Sequence, residues 1–391
     1  MTYLFTSTIA LLTSAFVSLG PLGTEKNLAG ENTFLDINSE IPSLNYSDGN
    51  SILFRKLCYA KLQKKDYKSA LKDCTKSIEM DPSSFYPIYL RGEAKSALND
   101  LQGAIEDYKR SIDLYPEYQY AYVSIGDVKV KLNDLEGALT AYTKAIEIDS
   151  EYMYAYQERG KTYTKLKQYN AAINDYNKMI EIDPRSKFAY ALRGDAKYEL
   201  EDTQGAIVDY NKAIDLDPEF AYAYANIGDV KAKLNDLEGA IAAYTKAIEI
   251  DHEYEYVYGE RGKIYIELEE YNAAIDDFSQ AIQINPKSEF AFNMRGIARF
   301  NLKDYKAASS DYTKAISINP ANEYNYKRRA SVSYVIEDYQ AALDDINKAI
   351  SINPSIGIFY NARADIKMEL GDNDGAISDY SKAAELGKDN D

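Results

Sequence analysis

Residues 153–186 of this 391-residue chain read MYAYQERGKTYTKLKQYNAAINDYNKMIEIDPRS, and this 34-residue stretch sets the pattern for most of the sequence. Its proline belongs to a series in which every gap is a multiple of 34 residues: Pro82, Pro116, Pro184, Pro218, Pro286, Pro320 and Pro354. Ser150 and His252 occupy the two places that the series leaves open, and there we expect the preceding helix to run on slightly. A fixed period of this size predicts stacked structural units rather than one globular core.

Counting from the prolines divides residues 51–390 into ten blocks without insertion or deletion, beginning at residues 51, 85, 119, 153, 187, 221, 255, 289, 323 and 357. Position 20 of every block is Ala, position 8 is Gly, Ala or Cys, and positions 4 and 24 are mostly aromatic. Apolar residues recur at helical intervals in both halves of a block. Asp at position 16 in eight blocks can cap the second helix, and an Asp-Pro or Asn-Pro pair can end it. Each block therefore predicts two helices that cross closely at their small residues.

These blocks resemble the tetratricopeptide repeat, which has small residues at positions 8, 20 and 27, aromatic residues at 4 and 24, and Pro at 32. The resemblance covers residues 51–390 and implies an all-α, right-handed superhelical solenoid of ten 34-residue helix-turn-helix repeats. In such a solenoid the first helices line a concave groove and the second helices form the convex side. The chain departs from the family pattern at position 11, which is mostly Lys instead of Tyr, and it contains no tryptophan.

A paired substitution relates positions 7 and 23. Seven blocks carry Arg at position 7 and Asp at position 23: Arg91 with Asp107, Arg159 with Asp175, Arg193 with Asp209, Arg261 with Asp277, Arg295 with Asp311, Arg329 with Asp345, and Arg363 with Asp379. The third and sixth blocks replace both members by Ile and Ala, whereas the first block has Leu57 with Asp73. The pattern predicts an ion pair between the two helices of a block. We expect Arg193→Leu alone to destabilise the protein more than Arg193→Leu with Asp209→Ala.

The composition of the chain argues against two classes of function, nucleic-acid binding and catalysis. A formal net charge of −17, with Lys and Arg dispersed among acidic residues, argues against nucleic-acid binding. One histidine, no phosphate-binding glycine loop and no Cys/His spacing for a metal argue against an enzyme, so we expect no catalytic residues, no metal and no cofactor. Cys58 and Cys74 stand at positions 8 and 24 of the first block. They are either buried thiols or, in an oxidising compartment, a disulfide.

The first 24 residues carry no charge and are rich in apolar and hydroxyl side chains. They are interpreted as an export signal, a membrane anchor or a start without a targeting role, and any membrane contact is expected only here. An exported or membrane-associated location is therefore slightly favoured over the cytoplasm. Residues 25–50 form a polar linker that contains the glycosylation sequon at Asn45, which has meaning only in a eukaryotic secretory route.

Position 2 carries a second aromatic column where the family commonly has polar residues. Its members are Tyr86, Tyr120, Tyr154, Phe188, Tyr222, Tyr256, Phe290 and Tyr324. By the family geometry, position 2 faces the groove together with positions 5, 9, 12 and 13. Charges of both signs accompany these rings: Asp127, Lys131, Lys161, Lys165, Asp195, Glu199, Asp229, Lys233, Lys263 and Glu267. The rings either stiffen the array by packing on neighbouring first helices or grip a partner segment of mixed charge.

The function predicted from these features is a non-catalytic protein-interaction scaffold that holds a peptide or helix of a partner in its groove. The alternative is a structural spacer or assembly factor that acts through the convex side. Family members that clamp a chaperone's C-terminal carboxylate use Lys, Asn and Arg at fixed places in three successive repeats. Here position 2 is aromatic or Ile throughout and Arg55, Lys327 and Arg328 are isolated matches, so that clamp is rejected. The polar last block resembles a terminal cap, and we expect a monomer.

Overall fold

The structure, a computed structural model, describes residues 49–388, and within them it contains twenty helices and no strand. They fall into two compact units that divide after Leu216. The first unit comprises α1 (Gly49–Gln63), α2 (Tyr67–Met80), α3 (Phe85–Ala97), α4 (Leu101–Leu114), α5 (Gln119–Lys131), α6 (Leu135–Ile148), α7 (Met153–Lys165), α8 (Tyr169–Ile182), α9 (Lys187–Glu199) and α10 (Thr203–Leu216). The second comprises α11 (Ala221–Lys233), α12 (Leu237–Ile250), α13 (Glu255–Glu267), α14 (Tyr271–Ile284), α15 (Glu289–Asn301), α16 (Tyr305–Ile318), α17 (Glu323–Val335), α18 (Tyr339–Ile352), α19 (Gly357–Glu369) and α20 (Asn373–Lys388). The predicted all-α fold is confirmed.

Each odd-numbered helix forms a hairpin with the helix that follows it. The small residues explain the close crossing, because the position-24 ring lies directly against the glycine at position 8. A Cβ atom added to Gly160 would stand 2.6 Å from Cε1 of Tyr176. The alanine at position 20 is fully buried in all ten hairpins of the described residues. A larger residue at either place would push the two helices of a hairpin apart.

The turn inside each hairpin combines a capping side chain with a left-handed residue. All eight aspartates at position 16 accept a hydrogen bond from the backbone amide three residues later, as Asp134 does from Gly137 at 3.0 Å. The predicted caps are therefore confirmed. One residue earlier, position 15 of the first nine blocks holds a non-glycine residue at φ between 58° and 66°. This left-handed column includes Lys167 and Glu269, and the sequence pattern did not single it out.

In eight of the ten blocks the second helix ends at an Asp or Asn at position 31, whose side chain accepts from the amide two residues later. The expectation that the helix runs on at Ser150 and His252 is wrong, since α6 and α12 end at Ile148 and Ile250, at position 30 like the other second helices except α20. Asp149 has extended backbone at φ −131° and ψ 99°, and its side chain accepts from the amide of Glu151 at 3.0 Å. Asp251 bonds to the amide of Glu253 in the same way. This local side-chain turn stops the helix without help from proline.

All seven predicted Arg–Asp pairs are present, which confirms that prediction. The structure also explains four of the six lysines at position 11, which bond to the carboxylate at position 23, as Lys197 does with its Nζ 2.7 Å from Asp209. Lys129 and Lys231, in the blocks with Ala at position 23, pair instead with the capping aspartates. In the first block, where Leu57 replaces the arginine, Lys61 alone pairs with Asp73 at 2.6 Å. Several buried carboxylates thus have two cations, whereas others have one.

Cys58 and Cys74 form a disulfide between α1 and α2, with their Cα atoms 5.2 Å apart. They meet because positions 8 and 24 are in contact in the other hairpins as well. Of the two alternatives left by the sequence, the structure has the disulfide. The uncharged segment 1–24, most of the linker and its sequon lie outside the described residues. Among the helices of residues 49–388, none has both the length and the apolar character needed to cross a membrane.

Candidate partner-binding face

Positions 2, 5, 9, 12 and 13 of an odd-numbered helix lie on one side of that helix, because they recur at intervals of three and four residues. We call this side the first-helix face. It carries all fifteen residues predicted to bind a partner. Six of the eight position-2 rings are partly buried, and Phe290 and Tyr324 in the second unit are 46% and 45% exposed.

In the first unit the position-2 rings alternate with rings from position 34 of the preceding block. Tyr118 lies 6.4 Å from Tyr86 and 5.3 Å from Tyr120 between ring centroids. Tyr152 lies 5.2 Å from Tyr120 and 6.3 Å from Tyr154. These distances are typical of aromatic packing, so the rings join neighbouring hairpins. The sequence analysis missed position 34, although its aromatic residues (Tyr118, Tyr152, Phe220, Tyr254) recur in phase.

Tyr154 also has a polar attachment to the preceding hairpin. Its hydroxyl donates to Asp127 Oδ2 at 3.3 Å, and the hydroxyl of Tyr142 donates to Asp127 Oδ1 at 2.7 Å. Burial, together with the charge of Glu158, raises the pKa of Asp127 to about 7. Glu158 in turn pairs with Lys161 at 2.7 Å. Asp127, Tyr154 and Lys161 therefore belong to one network that links α5, α6 and α7.

The second unit contains a copy of this network 102 residues further along the chain. Asp229 accepts from the hydroxyls of Tyr244 and Tyr256 at 2.6 and 3.0 Å. Burial raises its pKa to about 7. Lys263 pairs with Glu260 at 2.5 Å. The copy follows from sequence, since residues 119–152 and 221–254 match at 27 of 34 positions.

The remaining predicted residues have separate positions along the face. Asp195 accepts from Tyr210 at 2.9 Å, Lys131 and Lys165 are exposed, and Phe188 and Tyr222 are partly buried. Glu93, which was not predicted, is the acceptor for Tyr108 at 2.6 Å and for Ser124 at 2.9 Å, and burial raises its pKa. An acidic residue at position 9 that accepts from the position-24 tyrosine is thus a recurring link inside a hairpin.

Helices α15 and α17 present a different arrangement, in which exposed rings accompany cations. Lys327 and Arg328 follow Tyr324 by one helical turn, and Asn293 follows Phe290 by the same interval. Arg328 donates to the side-chain oxygen of Asn293. The sequence analysis treated the two cations as isolated. A signal was present, however, since neither residue has an acidic match of the kind that Arg329 has at position 23.

Comparisons with known proteins agree with this architecture. Family profiles described as TPR repeat match residues 126–167, 194–235 and 228–268. Profiles described as tetratricopeptide repeat match residues 154–186 and 256–288, and also 87–118, 291–322 and 359–390. A comparison with curated protein sequences returned no match.

Several solved structures are similar to the chain. A tetratricopeptide repeat protein from Parabacteroides merdae has a TM-score of 0.50 at 18% identity, over 63% of this chain and 98% of that one. MamA protein has a TM-score of 0.38 at 30% identity, over 44% and 94%. The APC/C hetero-tetramer Cut9-Hcn1 has a TM-score of 0.44 at 14% identity, over 87% and 82%. The first likeness reflects a shared fold. On the profile matches and the repeated hairpins, the chain belongs to the tetratricopeptide repeat family.

Proposed function

We propose that the protein is a non-catalytic scaffold whose first-helix face binds a peptide or helix of a protein partner. Family membership supports a role in protein–protein interaction. The observation that carries the binding mode is the exposure of Phe290 and Tyr324, 46% and 45%, at the same position of successive first helices. Aromatic side chains provide large contact area at low cost in conformational entropy, and they are frequent hot spots of interfaces.

The binding role is assigned to these two rings rather than to the whole column. Tyr154 and Tyr256 already bond to buried carboxylates, and Tyr120 packs between Tyr118 and Tyr152. Those contacts hold hairpins together and keep the face rigid before a partner arrives. A rigid receptor loses little conformational freedom on binding, which favours affinity.

The test uses a partner that has been cross-linked to the intact protein, identified and then purified. We expect Phe290→Ala or Tyr324→Ala alone to weaken its binding by roughly 30-fold, because a hot-spot ring contributes about 2 kcal/mol, and the double substitution to weaken it further. The matched control is Val208→Ala with Ile377→Ala, two second-helix residues that are 57% and 62% exposed. If only the control variant loses the partner, the protein acts through its second helices and the proposal is wrong.

A further inference from the structure

Lys327 and Arg328 on α17 are two adjacent, partly buried cations without a carboxylate partner among residues 49–388. The next residue, Arg329, shows the usual arrangement, since it binds Asp345 through two hydrogen bonds of 2.8 and 2.7 Å. Burial lowers the pKa of both Lys327 and Arg328, and Arg328 lowers that of Lys327 further. Two such charges, close enough to repel each other, reduce the stability of the fold unless an anion joins them.

A chain of amides fixes the guanidinium of Arg328, which is at position 6 and so lies next to the first-helix face. Arg328 donates to Asn293, Asn293 donates to Asn325, and Asn325 donates to Glu289 at 2.7 Å. Glu289 also accepts from Asn319 at 2.8 Å and Asn322 at 2.5 Å. The carboxylate of Glu289 is therefore bonded to amides, and its charge opposes but does not cancel the lowering of the Arg328 pKa by burial. The guanidinium itself is held by a neutral acceptor.

We propose that Lys327 and Arg328 bind the side-chain carboxylate of an Asp or Glu in the partner segment. A carboxylate would accept from both side chains and neutralise the two cations. The assignment rests on the proposed function, because Phe290 and Tyr324 flank this site and would hold the segment. The proposed site differs from the clamp that binds a C-terminal carboxylate with residues of three successive repeats. Here both cations lie on α17, and the amide of Asn293 that positions Arg328 lies on α15.

The overall charge of −17 does not favour an acidic peptide, but residues 51–84 carry eight Lys or Arg against four Asp or Glu and could attract one. The effect of substituting Lys327 and Arg328, rather than peptide binding alone, therefore identifies this site.

The experiment is calorimetric titration of the full chain with a Glu-rich peptide and with its Gln counterpart, both acetylated and amidated so that only side-chain carboxylates differ. We expect the Glu peptide to bind at low ionic strength and the Gln peptide to bind at least tenfold more weakly. Lys327→Gln with Arg328→Gln should weaken the Glu peptide by roughly 10- to 100-fold, because hydrogen bonds to charged groups are strong. The control, Lys306→Gln with Lys314→Gln, removes two exposed cations from α16 and should change affinity less than threefold by net charge alone.

A melting curve of each variant separates binding from structure. Removing two repelling, unpaired cations should leave the melting temperature of the second unit equal or higher, whereas a fall would show that the pair is structural and would overturn the assignment. Equal binding of the Glu and Gln peptides would also overturn it, without affecting the proposed role of Phe290 and Tyr324. If the same peptide with phosphoserine in place of Glu binds at least tenfold more tightly than the Glu peptide, the ligand is a phosphorylated residue and the carboxylate assignment is wrong.

Discussion

Replacing Arg159 by leucine isolates the energetic role of the Arg–Asp pairs. Arg159 binds Asp175 through two hydrogen bonds of 2.9 and 2.6 Å, and its third nitrogen donates to Thr143 at 3.0 Å. The Asp175 side chain is only 5% exposed. Position 11 of this block is Tyr163, so Arg159 is the one cation paired with Asp175 among the described residues. Arg159→Leu leaves a buried carboxylate without a partner, which costs about 3–5 kcal/mol.

Arg193 provides a comparison of nearly identical geometry. Its hydrogen bonds to Asp209 measure 2.9 and 2.6 Å, but Lys197 also binds this carboxylate at 2.7 Å. Arg193→Leu therefore keeps a charged partner for Asp209 and should cost about 1–3 kcal/mol, the value of hydrogen bonds to charged groups. We expect the two single variants to differ by about 2 kcal/mol.

The directions in which the pKa values of Asp175 and Asp379 are shifted agree with a smaller loss where a carboxylate has two cations. Burial raises the pKa of Asp175 although Arg159 opposes it, so one cation does not offset the loss of water. At Asp379 burial also acts to raise the pKa, but hydrogen bonds from Arg363 and Lys367 together lower it. The second cation, together with the shallower burial of Asp379 in the last hairpin, reverses the direction of the pKa shift. For the same reason Arg193 is a poor choice for the double substitution, since Asp209→Ala would leave Lys197 unpaired.

The assay must resolve single hairpins, because arrays of repeats need not unfold in one step. Amide hydrogen exchange on α7 and α8 gives the local free energy of opening for Arg159→Leu, and exchange on α9 and α10 gives it for Arg193→Leu. Arg159→Ile with Asp175→Ala copies the Ile125 and Ala141 pair of the third block and should restore most of the loss. Equal losses in the two single variants, or no recovery in the double variant, would refute the reasoning.

Three further predictions concern pH, turn chemistry and the disulfide. Burial raises the pKa of Asp229 from 3.8 to about 7, so protonation of Asp229 favours the folded state. The free energy of unfolding of the second unit should therefore fall as the pH rises from about 4 to about 7. In urea denaturation at about pH 5 and about pH 8, Asp229→Asn should reduce that difference. Ser150→Pro should raise stability by about 0.4–1 kcal/mol in the same assay, because Asp149 is already extended; a loss would contradict the side-chain turn. Reducing the Cys58–Cys74 disulfide, which spans 16 residues, should lower the opening free energy of α1 and α2 by about 3 kcal/mol and leave α7 and α8 unchanged in hydrogen exchange.

Sequence reasoning predicted the features that depend on contacts within one block. The period fixes which residues are equivalent, so covariation of positions 7 and 23 located the ion pairs, and the aspartates at position 16 located the caps. The sequence left open whether the position-2 rings pack or bind a partner, because the answer depends on rings from the preceding block. Tyr120, for example, is partly buried because it packs against Tyr118 and Tyr152. The helix ends at Ile148 and Ile250 were mispredicted because proline was given a role that the side chain at position 31 performs.

Features that recur in many hairpins can be separated from those that occur once. Arg–Asp pairs recur in seven hairpins, capping aspartates in eight and tyrosine–acid links in five, each in the same structural position, and the network around Asp127 is copied around Asp229. Among residues 49–388, Lys327 and Arg328 form the one pair of adjacent cations in which the pKa of both members is lowered by burial. Other hairpins pack without such a pair, so packing does not require it, and its burial and repulsion oppose folding. Because the two cations oppose folding and lie at a rigid, partly exposed face, a ligand of opposite charge accounts for their presence. The exposed rings of Phe290 and Tyr324 lie next to them and can contact the rest of the partner segment.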